Sequence, residues 1–473
     1  MRYVGIVLLF NAAFLFVSAA LSAAHAGTGF FPLLYSAILS ALFGVFPLIF
    51  VPAPSEITNG EGLVIVVASW LLSCVVGALP YILWGGEFSL TNAWFESVSG
   101  YTTTGSTILS DIEALSPGLL FWRASTHWIG GVGIVVFVIA ILPYLGLAES
   151  VLYRSETSLQ MRDKLRYRTR RAVKILVTVY VGLTALQTGL LALFGMGLFD
   201  AVTTAFATIA TGGFSVRNAS IAHYDSVGIE VVTIAFMVVS GMHFALLFGV
   251  LFGRIGELWR SSALRYYLVA LAVGVAVATI DVHGRTYAGW GESLRYGAFQ
   301  IVSVGTSTGF ANADSSVWPA LARLAILYFT LQCACAGSTS GGIKVDRVVL
   351  FGKAVGRMVL KLRYPSAVMR IRMDREVASE ETVEASVLYI VLYVVIVFVA
   401  SLFLAGLGMD MLSAFSGSAA AMGNVGPGLG AVGSMANYSG VPAAGKWILS
   451  FTMLLGRLEI YGLLFFLMPR AWR

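Results

Sequence analysis

Four stretches of this chain carry the residue types that could replace the water shell of a dehydrated cation. They are Thr103-Thr104-Gly105, Ala210-Thr211-Gly212, Ser307-Thr308-Gly309 and Asn424-Val425-Gly426. Consecutive backbone carbonyls can coordinate a cation without adding net charge. Glycine permits the unusual dihedrals that aim successive carbonyls one way, and threonine can add a hydroxyl oxygen. No Asp or Glu stands in the cores Thr103 to Ser106, Ala210 to Gly213, Ser307 to Phe310 or Asn424 to Pro427. That absence argues for a carbonyl filter and against a ring of charged side chains. Aligned on Gly105, Gly212, Gly309 and Gly426, the stretches are 107, 97 and 117 residues apart. Such spacing is too irregular for a solenoid and fits four diverged copies of one module. A single Thr-Thr-Gly reads as a turn between helices; the signal lies in the set.

Two further features interrupt apolar sequence. Ala336-Gly337-Ser338-Thr339-Ser340-Gly341-Gly342 sets three glycines among three hydroxyl residues inside a span at about 318 to 350. That composition breaks a helix, and its freed backbone must be satisfied by neighbours or cavity water, as in a lid under the filter. Arg457 lies well inside the last apolar span, where a charge costs at least about 2.5–3.5 kcal/mol, so it is expected to face the bundle interior or water. Glu459, two positions on, points to another helix face. Arg457 is expected to project below the filter, bond to lid carbonyls and raise the barrier to a cation, the alternative being a structural ion pair with another helix. His127 and His243 read as packing groups, and Cys74, Cys333 and Cys335 as small buried hydrophobes rather than metal ligands.

The elements that must position these residues follow from composition. Of 473 residues, 58% are hydrophobic and 11% charged, and the mean hydropathy is +0.85, which excludes a soluble domain. The fold expected is an all-α polytopic membrane protein: an N-terminal helical hairpin (1–60), then four modules of helix, re-entrant pore loop and helix around a central pore. The modules are 61–150, 151–260 with a basic linker, 261–350 with the interrupted span, and 351–473 with a second basic linker. Ala24-His25-Ala26 imitates a signal-peptidase site, but the apolar core is long and runs into a second span, so a hairpin is expected. The long spans fall at about 63–84 and 118–147, 170–195 and 226–253, 264–282 and 318–350, and 383–406 and 443–468. Between them lie short apolar stretches at 89–101, 198–209, 291–304 and 410–422, too short to cross about 30 Å of hydrocarbon and so expected to dip in and return. Their C-terminal, partly negative ends would favour a cation in the cavity. Lysine and arginine collect between modules, from Arg154 to Lys174 and from Arg347 to Arg375, with Arg254, Arg260 and Arg265 joining the second to the third. By the positive-inside rule these linkers and the N-terminus are cytoplasmic and the loops open outward. The net charge of +6 sits in loops without interleaved aromatics and does not indicate nucleic acid.

Taken with their context, these motifs resemble the superfamily of Trk, Ktr and HKT cation transporters, and within it the bacterial TrkH branch. The resemblance spans essentially the whole chain and rests on Ser99-Gly-Tyr-Thr-Thr-Thr-Gly105, Thr211-Gly-Gly-Phe-Ser215, Thr308-Gly-Phe310, Gly423-Asn-Val-Gly-Pro-Gly428, His127-Trp-Ile-Gly-Gly-Val-Gly133, Cys335-Ala-Gly-Ser-Thr-Ser-Gly-Gly-Ile-Lys344 and Leu455-Gly-Arg-Leu-Glu459. It implies that each module supplies a quarter of a potassium filter. It also implies that Gly337 to Gly342 with Lys344 form an intramembrane gating loop working with Arg457. Glycine in all four filter places implies potassium rather than sodium. The transported ion would be K+, with no organic cofactor in this chain. The protein would sit in the bacterial inner membrane, pair as a homodimer and be regulated by a separate cytosolic nucleotide-binding ring of the TrkA type. A polytopic membrane enzyme or a secondary solute transporter are the alternatives. The first lacks a nucleophile with its base or a ligand set at membrane depth, and the second more often shows two large inverted halves.

Overall fold

The computed structural model describes residues 1–52, 59–141, 159–251, 253, 255–374 and 376–468. Arg154, Arg254 and Arg375, counted above among the linker cations, lie outside them. Among the described residues, six helices are long and apolar enough by length and composition to cross a membrane, or seven if one bent pair is a single span. The strands are two residues each, Arg372–Met373 and Glu376–Val377, paired antiparallel in the second linker. The fold is therefore an all-α polytopic membrane protein.

The N-terminal pair Arg2–Ala24 and Phe30–Phe50 forms a hairpin whose helices meet backbone to backbone. A Cβ on Gly5 would stand 2.5 Å from the Gly44 carbonyl oxygen, and one on Gly44 would stand 2.9 Å from the Gly5 oxygen. Small residues make such approach possible where lipid offers no hydrophobic drive between helices. Phe43, Phe46 and Ile49 stay exposed on the outer face. Buried Asn11 fastens the hairpin to the first module. Its Oδ1 accepts from the Tyr101 hydroxyl at 2.7 Å, and its Nδ2 donates to Ser73 Oγ at 3.1 Å.

The four short helices are Leu90–Tyr101, Leu198–Ile209, Trp290–Gly305 and Met411–Gly423. Ser89 and Asp410 cap the first and fourth through their side chains, satisfying amides that would otherwise be orphaned at the helix start. The long helices Asn59–Trp84, Pro117–Ile141, Leu159–Leu193, Ser262–Val282 and Glu380–Gly406 are continuous. Three others are not, and here the structure corrects the sequence reading. The span expected over 226–253 breaks between Val227–Ser240 and Phe244–Leu251. The interruption expected at 336–342 is wider, from Gln332 to Lys344, between Ala320–Leu331 and Val345–Arg363. The last span bends by 113° between Ala443–Arg457 and Tyr461–Leu467. The first two breaks answer each other: the Cys335 amide donates to the Gly241 carbonyl at 3.1 Å, and the Phe244 amide donates to the Gly337 carbonyl at 3.1 Å. Backbone groups freed in one helix are thus satisfied by those freed in the other, as a membrane interior demands.

Candidate functional site

Each short helix ends in the same way. The amides of Thr104, Gly212, Thr308 and Val425 donate to the carbonyls of Ser99, Ala207, Ser303 and Ala420 at 2.8–2.9 Å, five residues back. The preceding amides, of Thr103, Thr211, Ser307 and Asn424, donate to Gly100, Thr208, Val304 and Ala421 at 2.9–3.3 Å. These paired bonds close a helix when the residue after its end turns left-handed. Thr103, Thr211, Ser307 and Asn424 do so, with φ of 52°, 53°, 55° and 51°. Two residues on, Gly105, Gly213, Gly309 and Gly426 have φ of 84°, 80°, 81° and 98°. The second loop is therefore read one residue too early in an alignment on Gly212. Its structural counterparts are Thr211-Gly212-Gly213, and Ala210 is the cap of the helix. Two adjacent glycines leave the register open in sequence, and only the left-handed turn at Thr211 decides it.

The four loops close into one ring. A Cβ on Gly105 would collide with the carbonyl oxygen of Gly212, on Gly213 with that of Thr308, on Gly309 with that of Val425, and on Gly426 with that of Thr104. Each glycine thus lies under the middle carbonyl of the next loop, and the fourth returns to the first. Cross-links hold the ring. Asn424 Nδ2 donates to Thr104 Oγ1 at 3.0 Å and to the Met453 carbonyl at 3.0 Å, and Ser106 Oγ and the Tyr438 hydroxyl both donate to the Gly426 carbonyl. The Thr102 and Thr104 hydroxyls pair at 2.8 Å, as do those of Thr306 and Thr308. His127 stacks on Phe214, with ring centroids 4.1 Å apart, directly behind Gly212.

The interrupted segment lies against this ring from one side. Thr339 Oγ1 donates to the Ile209 carbonyl at 3.0 Å and accepts from Thr211 Oγ1 at 3.3 Å. The Gly341 amide donates to Ser307 Oγ at 3.1 Å, and a Cβ on Gly341 would stand 2.6 Å from Asn424 Oδ1. Loops two, three and four are thus touched by one segment. Its shape is held by Ser338 and Ser340, whose hydroxyls pair at 3.0 Å, by the Lys344 ammonium donating to the Ser340 carbonyl, and by Gly337 and Gly342, both left-handed. Arg457 is 2% exposed. Its Nη1 donates to the Thr339 carbonyl at 2.6 Å and its Nη2 to the Gly130 carbonyl at 3.0 Å. Both of these partners are carbonyls, so the guanidinium charge is solvated by dipoles rather than cancelled by a carboxylate.

Residues 36–471 match the TrkH family, described as a cation transport protein. The chain belongs to the TrkH family. It is 36% identical over 422 residues to the Trk system potassium uptake protein TrkH of Escherichia coli K12, covering 88% of this chain and 87% of that one. It is 37% identical over 422 residues to the Trk system potassium uptake protein TrkI of Halomonas elongata, covering 89% and 85%. The crystal structure of the potassium transporter TrkH from Vibrio parahaemolyticus superposes with a TM-score of 0.91 at 30% identity, over 100% of this chain and 98% of that one. The TrkH family is one of transporters, which sets the membrane-enzyme alternative aside.

In this TrkH-family chain the sequence reading missed two things at the site. Gly213, rather than the aligned Gly212, is the positive-φ glycine of the second loop. Glu459 meets the Arg347 guanidinium, which also lies 3.7 Å over the Tyr389 ring, so the bend after Arg457 is tied to the helix that follows the interrupted segment. The second was not legible in sequence, because Glu459 and Arg347 are 112 residues apart and no pattern pairs them. The same geometry gives an expected result for Asn424. Alanine there loses both side-chain bonds, at about 1 kcal/mol each, and keeps a left-handed φ at a further cost of about 1 kcal/mol. Asn424→Ala is expected to lower stability by about 2–3 kcal/mol, read by thermal unfolding of the purified protein.

Proposed function

We propose that this TrkH-family chain takes up potassium across the bacterial inner membrane through a selectivity filter of main-chain oxygens contributed by its four loops. The closed ring of glycines, each under a carbonyl of the next loop, carries the reading. Thr103 to Gly105, Thr211 to Gly213, Ser307 to Gly309 and Asn424 to Gly426 replace the hydration shell of the ion. The lack of any carboxylate in these stretches and the names of the potassium uptake proteins that the chain resembles support a monovalent cation. Uptake is driven by the membrane potential. At 100 mV, inside negative, a monovalent cation gains about 2.3 kcal/mol, which sustains a gradient of about 50-fold.

Gln332 to Lys344 acts as the gate, held closed by Arg457 on the Thr339 carbonyl. The loops open outward and the N-terminus is cytoplasmic, because lysine and arginine collect in the linkers. The chain works as a homodimer regulated by a separate nucleotide-binding ring of the TrkA type. The cytosolic helix Val345–Arg363, which carries Lys353, Arg357, Lys361 and Arg363 beside exposed Met358 and Leu362, is the docking element. Purified protein in vesicles, assayed with potassium and with sodium, with and without such a ring, tests the whole reading. Potassium flux is expected to exceed sodium flux by at least about tenfold, a difference of about 1.4 kcal/mol in barrier. Equal fluxes would remove the potassium filter from the proposal, and no flux of either ion would remove the pore.

A further inference from the structure

From one buried ion pair behind the filter, we infer that Glu96 and Arg123 are positioning residues that set ion selectivity by fixing the outward limbs of the first two loops. Glu96 lies midway along the first short helix, Arg123 on the following long helix, and their side chains are 0% and 1% exposed. Arg123 Nε donates to Glu96 Oε1 at 2.9 Å and Nη2 stands 2.9 Å from the same oxygen. The carboxylate also accepts from Thr107 Oγ1 at 2.9 Å and from the Ile108 amide at 3.0 Å. Both donors belong to the limb that leaves Gly105. Arg123 continues across to the second loop. Its Nη1 donates to the Ser215 carbonyl at 3.1 Å, and its guanidinium lies 4.2 Å over the Phe214 ring. Phe214 and Ser215 are the two residues that follow Gly213. The pair reaches the fourth loop as well, because the Thr107 carbonyl accepts from the Tyr438 amide at 2.8 Å and the Tyr438 hydroxyl donates to the Gly426 carbonyl at 2.7 Å.

The residue that follows Gly309 in loop three and the outward limb of loop four are held by neutral groups, and a charged pair reaches loop three only further out, where Asn312 Nδ2 donates to Glu230 Oε2 at 3.2 Å beside Arg295. Ser303 Oγ donates to the Phe310 carbonyl at 2.6 Å, and Ser416 Oγ accepts from the Leu429 amide at 2.8 Å. A buried ion pair is an expensive substitute for such bonds, because both charges lose their water, and it is weak evidence for stability. What it supplies is geometry: a planar guanidinium with donors in a fixed fork spans two loops at set distances, which neither a lysine nor a hydroxyl reproduces. Discrimination between cations of one charge depends on cavity size and on how firmly the carbonyls are held. Freed from the clamp, the first two loops close further around a smaller ion.

This inference rests on the four loops being the filter, and its test separates the two. Glu96→Gln and Arg123→Lys are compared with the unaltered protein in vesicles by paired potassium and sodium fluxes. The expected result is a fall of at least about tenfold in the potassium-to-sodium ratio, carried mainly by a rise in sodium flux. A merely structural role would lower both fluxes together and leave the ratio where it was, and that outcome would overturn the inference while leaving the filter reading intact. No potassium preference in the unaltered protein would instead overturn the filter reading. Since Glu96→Gln strands the Arg123 charge, the paired change Glu96→Met with Arg123→Met, which removes both charges together, carries the same measurement if the single variants do not fold.

Discussion

Alanine at Gly213 is expected to reduce potassium flux by at least about 100-fold, a barrier increase of about 2.7 kcal/mol. Gly213 has φ of 80°, where a Cβ costs about 1–2 kcal/mol in backbone strain. The new methyl would also fall on the Thr308 carbonyl oxygen of the next loop. That obstacle is backbone, so no rotamer change removes it. Either the third loop moves outward, opening the ring at the proposed coordination site, or the second loop leaves its left-handed turn and swings its carbonyls away. Both outcomes would destroy the ion coordination proposed for these loops. Flux into vesicles containing equal amounts of folded protein is the measurement. Undiminished potassium flux through Gly213→Ala would place the filter elsewhere. A helix-end glycine without a neighbouring loop above it would not carry this penalty, which is why the expectation belongs to the ring and not to glycine in general.

Arg457→Ala is expected to act in the opposite direction, raising potassium flux by about 30-fold in the absence of any regulatory partner. A unit charge placed about 8 Å from a monovalent ion at an effective dielectric of about 20 contributes about 2 kcal/mol, which corresponds to that factor. The substitution also removes the bond from Nη1 to the Thr339 carbonyl and with it the tether holding the interrupted segment against the second loop. Lysine at the same place keeps the charge but not the fork that reaches Thr339 and Gly130 together, so Arg457→Lys is expected to fall between the two. Fluxes of all three proteins, measured at one membrane potential, give the order. Equal flux in all three would mean that Arg457 serves only to join helices.

Much of the architecture was legible because it rests on length. A run of 12 to 16 apolar residues cannot cross the hydrocarbon, so the dips read at 89–101, 198–209, 291–304 and 410–422 lie within a residue or so of the helices Leu90–Tyr101, Leu198–Ile209, Trp290–Gly305 and Met411–Gly423. The broken second span of the third module was legible for a different reason, since Ala336 to Gly342 concentrates glycine and hydroxyl residues. The break after Ser240 was not. Its sequence, Ser240-Gly241-Met242-His243, is locally compatible with a helix, and it opens where Gly241 and Phe244 trade backbone bonds with Cys335 and Gly337. The 113° bend after Arg457 was equally hidden, since Leu458-Glu459-Ile460 contains neither glycine nor proline and yet holds two left-handed residues.

Hydropathy, span length and the recurrence of one Thr/Gly pattern without carboxylates settled on their own that this chain is a membrane protein of four like modules whose loops suit a cation. Those properties are additive along the chain and need no knowledge of what lies beside what. The choice of Gly213 over Gly212, the two unannounced breaks and the Arg457 and Arg123 contacts were decided only by the tertiary structure. Each depends on a backbone or charged group meeting a partner from another module, and a buried donor or acceptor takes its conformation from that partner rather than from its neighbours in sequence.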